Sequence, residues 1–373
     1  MDLSLNEHQR MLERSVRSFM ERRAPRSNIV RLQRSELGYE PDAWKAIAEL
    51  GWVGSLIPQS YGGGNGSLTD TAVLFQEFGR GPLPGPLFSS GVLSALVLLE
   101  AGSEEQRRRY LPGIASGEKI FSVAITEPAR SWGLQGIALT AERQGECFRL
   151  NGTKLFVSDA VAATHLIVAV RTGPSLEDTN LIVVDKNLQG VSARLLPGFI
   201  GWQGEVAFND VEVPAEELLA HENQGWSVLT RAMEHALPIL CAYQVGSSQA
   251  IFEMSVEYSQ TRVQFGVPIG RFQRVQDHII RLVNNLDAAR WTTWEALWKL
   301  DSGRPAAASV HLAKAVTAEA HIEACNAAHE VHAGIGSALE YGLVPHTQLS
   351  RTLFNYLGDP KWHKRQMTAA LSW

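Results

Sequence analysis

A chain of 373 residues, 45% hydrophobic and 20% charged, carries enough apolar content for two or three packed domains rather than one small core. A net charge of -5 and a pI near 6.1 give no global case for a nucleic-acid-binding or anionic-membrane-binding protein. Three scattered cysteines, Cys147, Cys241 and Cys325, form neither a disulfide framework nor a zinc site.

The polar N-terminus, from Asp2 to Ser15, has no uninterrupted apolar stretch of the signal-peptide kind, and no segment offers the ~20 apolar residues of a membrane span. A cytoplasmic protein is expected. Leu5, Met11, Leu12, Val16 and Phe19 recur at helical spacing. Pro41 opens a second helix that Gly51 closes, and Gly62-Gly63-Gly64 precedes a third near 67–79. Behind the stiff connector Gly81-Pro82-Leu83-Pro84-Gly85-Pro86 lies an apolar helix, Val92–Leu99, then a polar one, Glu104–Ser116. In that polar helix the basic run Arg107-Arg108-Arg109 reads as a solvated face.

After Gly117 the pattern changes to short β-prone runs: Phe121–Thr126, Ala138–Arg143, Phe148–Leu150, Lys154–Val157, His165–Val170, Leu181–Val184 and Val206–Val213. Asn151-Gly152, Gly173-Pro174 and Gln189-Gly190 stand between them as turns, so an antiparallel β-barrel or sandwich is expected. From Gly225 the segments are long and helical, Gly225–Thr261, Phe272–Leu300 and Pro305–Ala333, followed by Val344–Leu357 and Pro360–Leu371. Long helices joined by short turns predict a four-helix-type bundle. The expected fold is α+β in three parts: an N-terminal α domain (1–118), a middle β domain (119–222) and a C-terminal bundle (223–373).

Four local motifs carry a resemblance. Ile125-Thr126-Glu127-Pro128 looks like the "TEP" signature of the acyl-CoA dehydrogenase family, and the segment from Leu150 to Ser158 looks like its "NGxKxWIT" segment. Arg262-Val263-Gln264-Phe265-Gly266-Val267-Pro268-Ile269, with Phe272-Gln273 and Gln276, looks like "RxQFGxPIxxFQxxQ"; His332-Ala333-Gly334-Ile335-Gly336 with Glu340-Tyr341 resembles the family's "HGGxGxxxEYP". All four stand in order, and the resemblance covers essentially the whole chain. It implies FAD as cofactor, with Thr126 and Ser158 offering hydroxyls to the isoalloxazine and Phe156 flanking it. A reduced flavin gathers negative charge, which such donors stabilise. Ser158 also reads as a turn cap before Asp159. The resemblance further implies that Arg262, Gln264 and Phe265 reach the cofactor of a neighbouring subunit, with Gln273 and Gln276 as weaker candidates on the following helix. Guanidinium suits pyrophosphate; an ordinary surface ion pair is the plainer use of Arg262. No GxGxxG after a strand supports NAD.

The chain departs from the family where acyl-CoA dehydrogenation needs a base for the α proton. The two positions at which family members carry Glu align with Ala236 and Leu357, neither of which can accept a proton. Glu234 lies about 200° and His235 about 100° around a helix from Ala236, and Asp359 before Pro360 suits a helix N-cap. All three are weak candidates for a relocated base. Ala129-Arg130-Ser131-Trp132-Gly133 replaces a glycine-rich loop, with Trp132 filling space near the thioester path. Glu330 stands for a common Gln and Ala333 for a Gly beside the cofactor's phosphates.

Together with Gly79–Pro86 and the Gly358-Asp359-Pro360-Lys361-Trp362-His363 ending, these departures resemble the non-catalytic subunit of heterotetrameric bacterial steroid-side-chain acyl-CoA dehydrogenases. That implies a paralogous partner subunit carrying the catalytic Glu, a bulky acyl-CoA substrate, and electron-transfer flavoprotein or a similar acceptor. A self-sufficient flavoenzyme with a relocated base and a flavin-free scaffold are the alternatives.

Overall fold

The computed structural model describes residues 3–23, 25–32, 35–128, 131–198, 203–220 and 222–372. The helices that open the chain are α1 (Glu7–Arg23), α2 (Arg26–Leu32), α3 (Pro41–Glu49), α4 (Leu68–Arg80), α5 (Ala95–Ala101) and α6 (Glu104–Ala115). Strands follow: β1 (Phe121–Ala124), β2 (Thr140–Gln144), β3 (Cys147–Val157), β4 (His165–Arg171), β5 (Thr179–Asp185), β6 (Val191–Leu195), β7 (Gly204–Pro214) and β8 (Leu218–Leu219). Then come α7 (Gly225–Thr261), a hairpin of β9 (Val263–Gln264) and β10 (Val267–Pro268), α8 (Gln273–Asp301), α9 (Ala307–His332), α10 (Leu343–Asn355) and α11 (Pro360–Ala370). The α, β, α order matches the expectation from sequence.

Helix starts follow local chemistry. Ser67 and Asp70 form a reciprocal capping box on α4, and Ser103 and Gln106 do the same on α6. Pro41 and Pro360 occupy first turns, where a missing N–H costs nothing.

The chain forms two compact units. One comprises residues 34–66 and 84–236 and holds α3, α5, α6, β1 to β8 and the start of α7. Its sheet runs β6-β7-β3-β2-β4-β5-β8, with β1 against β4. Most neighbours are antiparallel, but the sheet is mixed rather than purely antiparallel. β1 pairs in parallel with β4, and β2 meets β4 in parallel through the one pair Thr140–Arg171. Parallel partners need a long connection, and β2 and β3 supply it between β1 and β4.

Asn151-Gly152 is not a turn. β3 runs through it, with a register shift against β7 between Leu150 and Gly152. Gly152 has φ +144, and a Cβ there would stand 2.8 Å from Leu139 Cγ. A bulge with a close neighbour therefore uses the glycine that a hairpin would otherwise explain.

The other unit comprises residues 1–33, 67–83 and 237–373. α8 and α9 pack along each other, with α10 and α11 against α9 and α1 against α4. Ile251 and Met254 of α7, Leu282 of α8, Ala324, Cys325, Ala327 and Ala328 of α9 and Leu343 of α10 make one apolar core. Within this unit α4 and α7 cross closely. An added Cβ would lie 1.9 Å from Tyr243 O at Gly79 and 1.8 Å from Gln76 O at Gly246, so each helix presents a glycine to the other's backbone. Ion pairs add to this packing: Arg17 of α1 grips buried Glu77 of α4 through two bonds of 2.9 Å, and Arg80 of α4 grips Glu253 of α7.

Candidate functional site

In the unit that holds the sheet, the two motifs that flank β1 and end β3 are stitched together. The Leu155 N–H donates to Thr126 O at 2.8 Å, and Ser122 Oγ donates to Ser158 O at 2.6 Å. Beneath them Lys154, fully buried, donates to Glu127 Oε1 at 2.7 Å and to Ile125 O at 3.1 Å. Glu127 Oε1 also accepts the Ala138 and Leu139 N–H groups at 2.9 Å each. Burial draws the Lys154 ammonium down to about 8 against the opposing pull of Glu127. The Glu of the first motif and the Lys of the second are thus one buried ion pair, 27 residues apart in sequence.

Above this pair the backbone is strained. Phe156 has φ +56 and Asp159 φ +54, left-handed values on either side of Ser158. The register against β7 shifts between Lys154 and Val157, which turns Phe156 outward until it is 39% exposed. The half-buried Thr126 and Ser158 side-chain hydroxyls have no hydrogen-bond partner among the described residues. Two unengaged donors beside a raised aromatic fit the edge of a flat polar heterocycle. Asp159 is buried and accepts from Ser89 Oγ at 2.6 Å; burial raises its carboxyl to about 7. Trp132 is half-buried, whereas Ala129 and Arg130 lie outside the described residues.

In the other unit the β9–β10 hairpin leaves α7 and turns on Phe265 at φ +52 and Gly266 at φ +80. Phe265 is 92% exposed and touches Phe272 edge to face, with centroids 6.0 Å apart. Arg262 and Gln273 are exposed, and neither side chain has a partner among the described residues, so the plainer reading of Arg262 as a surface ion pair is not what the geometry gives. Gln264 is exposed and turns to Val263 O, while Gln276 Nε2 donates to Gly270 O at 2.9 Å. A free guanidinium, a free amide and a naked phenyl ring therefore stand on one tight hairpin and the helix start behind it.

The motif at the end of α9 divides into buried and exposed parts. His332 is buried and stacked on Tyr258 at 4.7 Å, donating from Nδ1 to Ala328 O at 2.8 Å. Ala333 takes φ +51, a conformation suited to the glycine it replaces, and Glu330 is exposed.

Both positions aligned with the family base are buried: Ala236 at 0% and Leu357 at 3% exposure. Asp359 is exposed and accepts the Trp362 N–H at 2.6 Å, which makes it the N-cap of α11. His235 and Glu234 are half-buried on α7. Burial raises the Glu234 carboxyl while Arg231 pulls it down. Among the described residues no group of three or more His, Cys, Asp or Glu could hold a metal ion, and no helix is long and apolar enough to cross a membrane.

Sequence reasoning had no role for Glu127 or Lys154, because neither residue type nor local spacing reveals a partner across two strands. A lysine alternating with apolar residues inside a strand was the available signal.

Comparison with known proteins matches these features from end to end. Family models for the acyl-CoA dehydrogenase N-terminal, middle and C-terminal domains match residues 6–118, 122–211 and 223–371. The chain is 30% identical over 354 residues to a probable acyl-CoA dehydrogenase of Bacillus subtilis, YngJ, covering 92% of each. The glutaryl-coenzyme A dehydrogenase glutaryl-CoA complex superposes with TM-score 0.93 at 27% identity, covering 100% of this chain and 97% of that one. The Tcur3481-Tcur3483 steroid acyl-CoA dehydrogenase gives TM-score 0.87 at 25% identity, covering 99% of each chain. With all three domain models matched and a relative of that identity and coverage, the chain belongs to the acyl-CoA dehydrogenase family.

Proposed function

We propose that the chain is the FAD-holding, base-lacking subunit of a heteromeric acyl-CoA dehydrogenase that works on a bulky acyl-CoA, a steroid side chain being the favoured class. The family's members are FAD flavoproteins. The observation that carries the reading is a contrast. Thr126, Ser158 and Arg262 stand unengaged at motif positions, whereas Ala236 and Leu357 offer no proton acceptor.

When bound, FAD would supply the acceptor for the substrate's β hydrogen. Thr126 and Ser158 would hold its ring through their hydroxyls, with Phe156 beside them. Arg262, Gln264, Phe265 and Gln273 would extend to the cofactor of the partner subunit, which brings the Glu that takes the α proton. The resemblance of the sequence to the steroid-type subunits and the likeness to a steroid acyl-CoA dehydrogenase support this assignment. The three family segments would serve as an N-terminal α domain, a middle β domain and a C-terminal bundle, and electrons would leave to an electron-transfer flavoprotein or similar acceptor in the cytoplasm.

Coexpression with a paralogous chain tests the proposal. Copurification with about one FAD per heterodimer is expected, with flavin bleaching by acyl-CoA only in the complex. Bleaching by this chain alone would refute it.

A second reading makes the chain self-sufficient. The observation in its favour is Glu234, a half-buried carboxyl on α7 whose proton affinity burial raises. It predicts bleaching by the isolated chain and its loss in Glu234→Gln. A colourless protein, even when coexpressed, would point instead to the flavin-free scaffold.

A further inference from the structure

The junction between α10 and α11 is held from below by three buried side chains, His311, Lys314 and His363, of which the sequence motifs include only His363. Leu357 sits there with φ +59 and Gly358 with φ +105. A leucine in the left-handed region crowds its own Cβ against the backbone, so something must hold it.

His363 Nε2 lies 3.0 Å from Leu357 O, and Lys314 Nζ donates to Leu353 O at 3.0 Å. His363 Nδ1 lies 2.9 Å from His311 Nδ1. These distances assign the protons. A carbonyl only accepts, so His363 Nε2 carries hydrogen; in the neutral ring its Nδ1 is then an acceptor, and His311 must donate from its own Nδ1. His363 and Lys314 are fully buried, His311 is 5% exposed, and Trp362 packs edge to face on His311 at 5.7 Å. On the far side of the turn, Gly358 N–H donates to Asn355 O at 3.2 Å and His363 N–H to Asp359 O at 3.1 Å.

We propose that His363, oriented by His311, and Lys314 are positioning residues that clamp the carbonyls of the α10–α11 turn and so fix the side chain at 357 as a wall of the acyl-CoA site. The clamp itself stands on the geometry; its link to acyl-CoA rests on the proposed function above. Burial keeps both imidazoles neutral at ordinary pH, as the proton assignment requires.

Hydrogen exchange on the full chain tests the clamp. His363→Phe removes the donor and should speed exchange of the Gly358 and His363 amides about tenfold, the worth of one hydrogen bond. His363→Gln, whose amide keeps a donor near the Nε2 position, should return most of the protection. Should His363→Phe fail to fold, ring nitrogen shifts of the wild-type chain decide: His363 as the Nε2–H tautomer and His311 as the Nδ1–H tautomer are expected. The opposite tautomers, or unchanged exchange in His363→Phe, would overturn the clamp. In the complex with its paralogue, His363→Phe should raise KM for acyl-CoA severalfold with kcat nearly unchanged. A faster-exchanging turn with an unmoved KM would overturn the link to the substrate. A wild-type complex without dehydrogenation would count against the proposed function alone, since exchange still reports the clamp.

Discussion

Replacing Glu127 by Gln would separate two readings of the buried pair beneath the candidate flavin site. The new amide oxygen can still accept from the Ala138 and Leu139 N–H groups, but Lys154 at 0% exposure loses the counter-charge that Glu127 supplies. Removing one partner of a buried pair costs about 3–5 kcal/mol, whereas replacing both by apolar side chains is often close to neutral. For a cooperative unit of this size each kcal/mol moves Tm by roughly 2–4 °C, so a fall of about 10 °C is expected. Glu127→Leu combined with Lys154→Met should recover most of it. Thermal unfolding of the four proteins in a double-mutant cycle gives the coupling directly. FAD affinity should weaken in the single variant as well, because the pair holds the segments that carry Thr126 and Ser158. A Glu127→Gln Tm within about 2 °C of wild type, or a double variant no better than the single, would refute the view that this charge pair, rather than general packing, joins the two motifs.

Three further outcomes are expected. Gly246→Ala would drive a methyl to 1.8 Å from Gln76 O and should cost about 3 kcal/mol or more by urea denaturation, with Gly79→Ala similar. Burial lowers His311 to about 4, His321 to about 3 and His363 to about 2, so the folded chain binds fewer protons than the unfolded chain below pH ~6.5. Their stabilisation is therefore full above that pH and declines on acidification, by up to about 2 kcal/mol each at pH 5. Equal denaturation midpoints at pH 7.5 and 5.0 would contradict this. Phe265→Ser should change subunit stability by less than about 0.5 kcal/mol, since the ring is 92% exposed, yet weaken association with the partner subunit in sedimentation.

Much of the architecture was legible because period and punctuation agree. Long 3.6-period stretches, Pro41 and Pro360 at helix starts, and short β-prone runs in the middle led to the observed order of elements. The misreadings have physical causes. Asn151-Gly152 carries the chemistry of a hairpin, yet the strand continues and Gly152 serves a bulge against β7 with Leu139 packed close to it. β6, with only alternate residues partly covered, and the two-residue β8 lack the apolar runs that announce strands. The β1–β4 pairing joins residues some forty positions apart and leaves no local trace.

At the candidate site, short motifs made the hydroxyls and the Arg262 hairpin visible. What supports them was not. Glu127 with Lys154, and His363 with His311, are contacts between segments, and a buried polar pair looks from sequence like two unrelated surface residues.

The lining of α9 has a consequence for how this chain can vary. Much of its buried face is alanine, with Ala313, Ala315, Ala318, Ala320, Ala324, Ala327 and Ala328 among its covered positions. Enlarging any of them pushes neighbouring helices apart. Shrinking one leaves only glycine, which loosens the helix by about 1 kcal/mol. Drift along this face is therefore blocked in both directions, and homologues should differ there mainly by concerted exchanges with α8 and α10 rather than by single steps.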